Sequence, residues 1–307
     1  MKYSFVLPAY KATFFKEALD SILMQTYKEF ELIIVNDASP EDLDSIVKQY
    51  DDSRIRYYVN KENLGGKDLV AQWNHSLEYA KGDYVILASD DDVYSPLYLE
   101  KMDELVCKYP NVNVFRPRVQ KINDNGDVTH IESYTKECNT TLEYAYAWVN
   151  GYINSGIPFY LFKKTALQNI GGFVNLPLAW HSDDATVLSL IGNGIVISSE
   201  ILFSFRHSGE NITSRCNDSK TLNLKLNATE IFYKWYEDFL RNTIATDHYE
   251  KFYKQTIIRR LEIDKKGIQK WCTENSGFKA ILSNSNRLLK QKIISFRYLI
   301  RLLLQRL

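Results

Sequence analysis

The sequence is poor in features that mark several protein classes. Its four cysteines (Cys107, Cys138, Cys216, Cys272) stand far apart in 307 residues, and no pair has zinc-site or redox-motif spacing. Seven prolines and a 45% hydrophobic content exclude collagen-like, low-complexity and disordered chains. No run of about 18 residues is free of charge, so no transmembrane helix is expected. Pro8 breaks the N-terminal apolar run too early for a signal peptide, and the expectation is a cytoplasmic protein with reduced thiols. Neither G-x-G-x-x-G after the first strand nor G-x-x-x-x-G-K-[ST] anywhere is present, which removes the main support for dinucleotide-binding and P-loop readings. Positive charge is not in excess either: Lys+Arg and Asp+Glu both number 38, so nucleic acid is not an expected partner.

That neutrality hides a split. Residues 275–307 hold seven basic side chains (Lys279, Arg287, Lys290, Lys292, Arg297, Arg301, Arg306) and no acidic one, which leaves 31 basic against 38 acidic in residues 1–274. The body is mildly acidic and the tail strongly basic.

A chain of this length can bury roughly three quarters of its extended surface. Its first 116 residues alternate strand-like and helix-like patterns: strands at 3–7, 30–35, 55–59, 84–88 and 112–115, with helices at 14–25, 41–50, 67–80 and after Pro96. Such alternation predicts βαβ units, and the nearly continuous β-branched run FELIIV predicts a strand covered on both faces. The pattern loosens between 117 and 200, where a helix is expected over 183–191 and a strand over 194–203. Beyond 219 everything reads as helix.

Open parallel sheets bind ligands beyond the carboxyl ends of their strands. There the sequence puts Pro8-Ala9-Tyr10, then Asn36-Asp37-Ala38-Ser39, then Ser89-Asp90-Asp91-Asp92. Three consecutive aspartates at one strand end are costly unless a cation neutralises them, and hard carboxylate oxygens suit Mg²⁺ or Mn²⁺. Spacing alone also allows a solvated loop or a helix cap for the triplet, and a cap for Asp37 or Ser39. Asp183-Asp184 precedes an apolar helical stretch, so one acid could cap that helix while the other projects into a cleft.

The segments Ser21-Ile22-Leu23, Gln25-Thr26-Tyr27 and Phe30 to Ser39 resemble the opening of the family-2 inverting glycosyltransferases. Asn63-Leu64-Gly65, Asn74, Ala80-Lys81-Gly82-Asp83-Tyr84, the aspartate triplet with Tyr94 and Pro96, Gly171-Gly172-Phe173 and Asp183-Asp184 continue the resemblance in order over residues 1–208. The family implies an α/β GT-A fold: a mostly parallel central sheet flanked by helices, Rossmann-like in its nucleotide-binding half. The expected organisation is a GT-A domain at 1–208, with a nucleotide-sugar half (1–116) and an acceptor half (117–208). A helical region comes after it at 209–307, ending in a basic amphipathic tail at 284–307.

By the same resemblance Pro8, Ala9, Tyr10 and Asp37 line a uracil and ribose pocket, with Asn63, Lys67 and Asp68 alongside and Lys67 available to a phosphate. Asp90 would meet the ribose, and Asp91, Asp92 and His207 would serve the metal. Two departures stand out: Ser89 where many members carry an acid, and Trp73 where many carry an arginine before Asn74.

Sugar transfer from a nucleoside diphosphate needs charge stabilisation on the leaving group and a base for the acceptor hydroxyl. The resemblance points to Asp184 as that base, with Asp183, Trp180 and His181 beside the acceptor; Trp180 and His181 could equally be core. The sequence-level reading is a metal-dependent inverting glycosyltransferase, with a UDP-sugar the favoured donor and a glycan or lipid-linked acceptor, serving cell-surface polysaccharide synthesis. The alternatives are a sugar-nucleotide pyrophosphorylase or a non-catalytic sugar-nucleotide or glycan-binding protein. Drawn as one helix, residues 287–307 place Leu289, Ile293, Phe296, Ile300, Leu303 and Leu307 on one face and basic residues on another. That suits peripheral attachment at the inner face of the plasma membrane, against a terminal helix packed on the body or a partner.

Overall fold

The computed structural model describes residues 2–207 and 218–306. Cys216 and Leu307 lie outside the described residues. The chain forms two compact units, one of Met1–Asn175 with Ser182–His207 and one of Leu176–His181 with Ser208–Leu307. The short segment 176–181, expected to belong to an uninterrupted domain ending at 208, is part of the second unit.

The first unit begins with strand-helix alternation: β1 (Tyr3–Ala9), α1 (Phe15–Leu23), β2 (Phe30–Asn36), α2 (Leu43–Val47), β3 (Ile55–Val59), α3 (Leu69–Leu77) and β4 (Tyr84–Leu87). Then come β5 (Val93–Tyr94), α4 (Tyr98–Lys108), β6 (Val114–Ile122), β7 (Val128–Ile131), β8 (Cys138–Asn139) and α5 (Thr141–Val149). β9 (Leu161–Lys163), α6 (Lys164–Asn169), α7 (Ser182–Leu190) and β10 (Ile195–Arg206) complete it. Among the described residues ten strands join one sheet in the order β3-β2-β1-β4-β9-β6-β10-β5, with β7 on β6 and β8 on β10.

The sheet is parallel across β3-β2-β1-β4. Beyond β4 it is mixed: β9 runs antiparallel to both β4 and β6, while β6 and β10 are parallel. β2 is buried along its whole length, as its apolar run requires of a strand covered on both faces. Pro8 is tolerated in β1 because pairing with β4 ends at Val6, so the missing N–H interrupts no ladder there. The strand expected at 112–115 runs instead from Val114 to Ile122, extended by its pairing with β10.

One buried acid ties this half together. Glu31 on β2 accepts from Ser4 Oγ at 2.7 Å, from the Lys81 N–H at 2.6 Å and from Arg56 at 2.8 Å. Gly82 closes the arrangement, since a Cβ there would lie 2.8 Å from the Ser4 nitrogen and the Tyr3 carbonyl carbon. Burial by itself would push the Glu31 carboxyl up, but the donors from Ser4, Lys81 and Arg56 outweigh it and hold it below the ordinary value.

The second unit is helical: α8 (Ser219–Asn242), α9 (His248–Glu274), α10 (Phe278–Lys290) and α11 (Phe296–Leu304). Its core gathers Leu222, Leu226, Cys272, Ile281, Leu288, Ile293, Ile294, Leu299 and Leu302. The single tail helix expected over 287–307 is broken. Lys292 turns left-handed at φ 53°, and the Ser295 side chain caps a new helix by accepting from the Tyr298 N–H. The kink re-phases the apolar positions, so Ile294, Leu299 and Leu302 go inside while Phe296 and Ile300 face outward.

A depressed carboxyl contributes stability that is complete above its unfolded value near 4.5 and lost as pH falls through the lower folded value. Glu31→Gln should therefore lower stability at neutral pH and flatten its dependence on pH in the acid range. Urea unfolding at a series of pH values checks this, and an unchanged acid slope would count against the assignment.

Candidate functional site

Two of the parallel strands of the first unit, β2 and β4, are followed by acids, and each of these acids is held by N–H or O–H donors. Beyond β2, Asp37 accepts from Asn60 Nδ2 and the Leu64 N–H, both at 2.8 Å, and from the Gly65 N–H at 2.7 Å. It is buried and braces the loop after β3. Gly65 is required there, because a Cβ would come within 2.9 Å of Asp37 Oδ2. Within that loop Asn63 accepts from the Gly66 N–H, and Lys67 pairs with Glu62 at 2.6 Å in an exposed position. Asp68 caps α3 and also accepts from Asn175 at 2.7 Å.

Beyond β4 the three aspartates separate by environment. Asp90 reaches back to β1, accepting from the Tyr10 N–H at 2.9 Å and the Lys11 N–H at 2.8 Å. Burial pushes its carboxyl up, and those two donors oppose the shift. Asp92 is fully buried, and its Oδ1 accepts from the Arg206 N–H at 2.8 Å. Ser89 Oγ lies 2.7 Å from Asp91 Oδ1 and 2.6 Å from Asp92 Oδ2. A hydroxyl has one proton to give. Both contacts are satisfied when Asp92 keeps its proton and donates to Ser89, which in turn donates to Asp91. Burial, then the Asp91 charge, push Asp92 in that direction.

Arg206 fastens this corner. Its Nε donates to the Asp91 carbonyl at 2.9 Å, one terminal nitrogen donates to Glu17 at 2.6 Å, and the guanidinium lies 4.2 Å from the centre of the Phe14 ring. It is almost completely buried at the end of β10, so the acid loop, α1 and β10 share one cation.

Asp183 and Asp184 occupy the first turn of α7, where the helix dipole favours negative charge. Asp184 is buried and Asp183 half-buried, with Asp183 Oδ1 accepting from the Asp184 N–H at 3.0 Å. Burial and the Asp184 charge push the Asp183 carboxyl well up. The preceding segment is strained, with Leu178, Ala179 and His181 all left-handed at φ 56–67°. Such positions cost about 1–3 kcal/mol each and gather at functional sites. The Asp184 carboxylate also acts on Tyr144 and Tyr160, whose hydroxyls meet at 2.6 Å. Burial pushes Tyr160 up to about 12, with Arg116 opposing. Arg116 is itself fully buried and paired with Glu132 at 2.6 Å.

The structure brings Tyr10, Asp90, Asp91 and Asp92 together at the ends of β1 and β4. Trp180 and His181 belong to the second unit and are engaged in its packing. Trp180 Nε1 donates to Thr229 at 3.1 Å, the Lys225 ammonium sits 4.6 Å from its ring centre, and His181 stacks on Phe232 at 4.5 Å.

The residues expected at the metal sit in different surroundings. Among the described residues no three His, Cys, Asp or Glu side chains cluster closely enough to hold an ion, so Asp91, Asp92 and His207 are not assembled as a cage. Asp92 is committed to Ser89 and Arg206, and His207 is exposed just beyond β10. The donor chemistry still fits Mg²⁺ or Mn²⁺, which commonly takes one or two carboxylates and fills its shell with phosphate oxygens and water. Asp91, half-buried with Oδ1 held by Ser89, is the acid so placed.

Ser89, Arg206 and Glu17 are the residues that sequence reasoning missed. Ser89 was visible only as a departure from a motif, and an arginine near a sequence motif gives no sign that it will be buried. Asn74, noted in the sequence only as a motif residue, clamps Phe173, donating to its carbonyl at 3.1 Å and accepting from its N–H at 2.8 Å. Gly172, left-handed at φ 94°, is required beside it, because a Cβ would collide with Asn74 Oδ1.

Comparison with known proteins agrees with this architecture. A family model described as glycosyl transferase family 2 matches residues 4–171, more than half of the chain. An uncharacterized glycosyltransferase of Rickettsia typhi is 29% identical over 246 residues, covering 78% of this chain and 71% of that protein. Glycosyltransferase GlyA of Streptococcus pneumoniae is 32% identical over 110 residues, 35% of this chain and 15% of that protein. Among solved structures, residues 1–349 of S. aureus TarS in complex with UDP-GlcNAc superpose with a TM-score of 0.66 at 16% identity, covering 92% of this chain and 83% of that one. A mannosyltransferase from Pyrobaculum calidifontis in complex with GDP-Man and Mn²⁺ gives 0.55 at 15% identity, covering 93% and 75%. At such identities the likeness speaks to the fold.

Arg206→Ala should destabilise the protein by about 3–5 kcal/mol, the cost of removing one partner from a buried charged network. Glu17→Gln, which changes a half-exposed partner, should cost about 0–1 kcal/mol. Chemical denaturation of both variants checks the ranking, and equal losses would contradict it.

Proposed function

The chain belongs to glycosyl transferase family 2, and from that premise we propose that it moves a sugar from a nucleoside diphosphate, UDP being favoured, to a hydroxyl of a glycan or lipid-linked acceptor. The observation that supports this reading is the presence in one unit of three acid groups with separate environments: Asp37 after β2, the triplet after β4 and Asp183-Asp184 opening α7. TarS binds UDP-GlcNAc and the Pyrobaculum enzyme binds GDP-Man, so a nucleotide sugar is supported as donor while the choice of base is open to test.

In this reading Pro8, Ala9, Tyr10 and Asp37 line the nucleoside pocket, with Asn63, Lys67 and Asp68 beside it. Asp37 acts chiefly by shaping the 60–65 loop, and the Tyr10 and Lys11 N–H groups hold Asp90 where a ribose would meet it. Asp91, with His207 nearby in sequence to Arg206, would hold Mg²⁺ or Mn²⁺, which supplies neutralisation of the leaving diphosphate. Burial and its neighbour's charge push the Asp183 carboxyl up, and Asp184 is the acid assigned to accept the proton of the acceptor hydroxyl. A single base with direct attack inverts the anomeric centre.

Two measurements test this. Asp184→Asn should keep donor binding, read as thermal stabilisation by the nucleotide sugar, and lose turnover by about 10²–10⁴-fold. Unchanged turnover would remove Asp184 from the mechanism, and loss of binding alone would make it a binding residue. In a panel of nucleotide sugars with Mn²⁺, the true donor should stabilise the protein most, by about 2.7 kcal/mol at a hundredfold excess over Kd. Asp91→Asn should remove the Mn²⁺-dependent part of that gain, whereas a gain that survives would mean the ion is held elsewhere.

A further inference from the structure

We infer that the second unit carries a docking surface for an anionic lipid bilayer on the outer face of α11. The face keeps Phe296 and Ile300 from the apolar side drawn in the sequence, but beyond the break at Lys292 it loses the buried Ile293 and gains the exposed Leu304.

Leu299 and Leu302 point into the core of the unit. On the opposite side Phe296, Ile300 and Leu304 are 67%, 44% and 65% exposed. Spaced four residues apart, they fall within about 80° of arc and form a strip about 12 Å long. Arg297 and Arg301 continue the same face around the helix, both exposed, with exposed Lys290 and Lys292 just before it. Among the described residues neither Arg297 nor Arg301 pairs with a carboxylate. Elsewhere in the unit Arg241, Arg260 and Lys266 do. The sequence explains the difference, since residues 275–307 contain no acid at all.

An apolar strip beside unneutralised cations matches a bilayer with anionic headgroups: the strip enters the acyl boundary and the cations remain at the phosphates. A second copy of the chain fits less well. A stable protein interface needs about 800 Å² per partner, far more than three side chains supply. A two-fold contact would also set the same arginines against each other. Among the described residues no helix is long and apolar enough to cross a membrane, so the contact is one of lying on the surface.

The test uses the full chain in vesicle co-sedimentation, with phosphatidylcholine alone and with phosphatidylcholine containing phosphatidylglycerol. The wild type should bind the anionic vesicles at least about tenfold more tightly than the neutral ones, and high salt should reduce the difference. Phe296→Ser/Ile300→Ser/Leu304→Ser should weaken anionic binding by about tenfold or more, and Arg297→Gln/Arg301→Gln by a similar factor. Ile244→Ser, at a position 82% exposed in the same unit, should change nothing. The charge variant decides the matter if the triple variant melts early. Equal binding of wild type and either variant overturns the proposal. So does a wild-type dimer in sedimentation velocity that the triple variant abolishes, since the strip would then be an interface between copies. None of these readouts depends on sugar transfer.

Discussion

Crowding of carboxylates at the ends of parallel strands is the constraint on which the first unit depends. Burial raises the cost of each negative charge, so every acid must be held by donors, shed its charge or meet a cation. The chain uses all three responses. Asp37 and Glu31 take backbone and side-chain donors; Asp92 and Asp183 are pushed toward the neutral form; and Arg206 supplies a resident cation beneath the triplet. Adjacent aspartates thereby acquire different chemistry, with Asp91 left accessible and Asp92 locked inside.

Several of the motif residues here do structural work. Asn74 and Gly172 make sense as a pair, a side chain clamped on a backbone that leaves no room for a Cβ. Gly65 and Asp37 are another such pair, and Gly82 with Ser4 a third. Each joins segments distant in sequence, which accounts for motifs in a fixed order without requiring every motif to touch substrate.

The second unit shows how a local break redistributes an amphipathic pattern. Residues 287–307 have the composition for one long helix, but the left-handed turn at Lys292 shifts the phase of α11. Burial then selects Ile294, Leu299 and Leu302, and the residues left outside form a narrow strip instead of a broad face. Trp180 and His181 illustrate the same rule, being aromatic and adjacent in sequence to the catalytic candidates yet engaged with α8.

Periodicity, strand-end acids and ordered motifs in the sequence were enough to determine the α/β class, the parallel character of the first strands, the helical character after 219 and the family. These come from local chemistry: β-branched runs covered on two faces make central strands, and acids placed after them fall at the sheet's ligand edge. Tertiary structure alone decided that β9 would enter the sheet antiparallel and that Asp92 would differ from Asp91. It also decided that Arg206 would be buried beneath them and that the tail would kink. Each of these depends on which distant atoms come within hydrogen-bonding reach. Periodicity along the chain holds no information about that, because Arg206 and Asp92 become partners only when β10 pairs with β5.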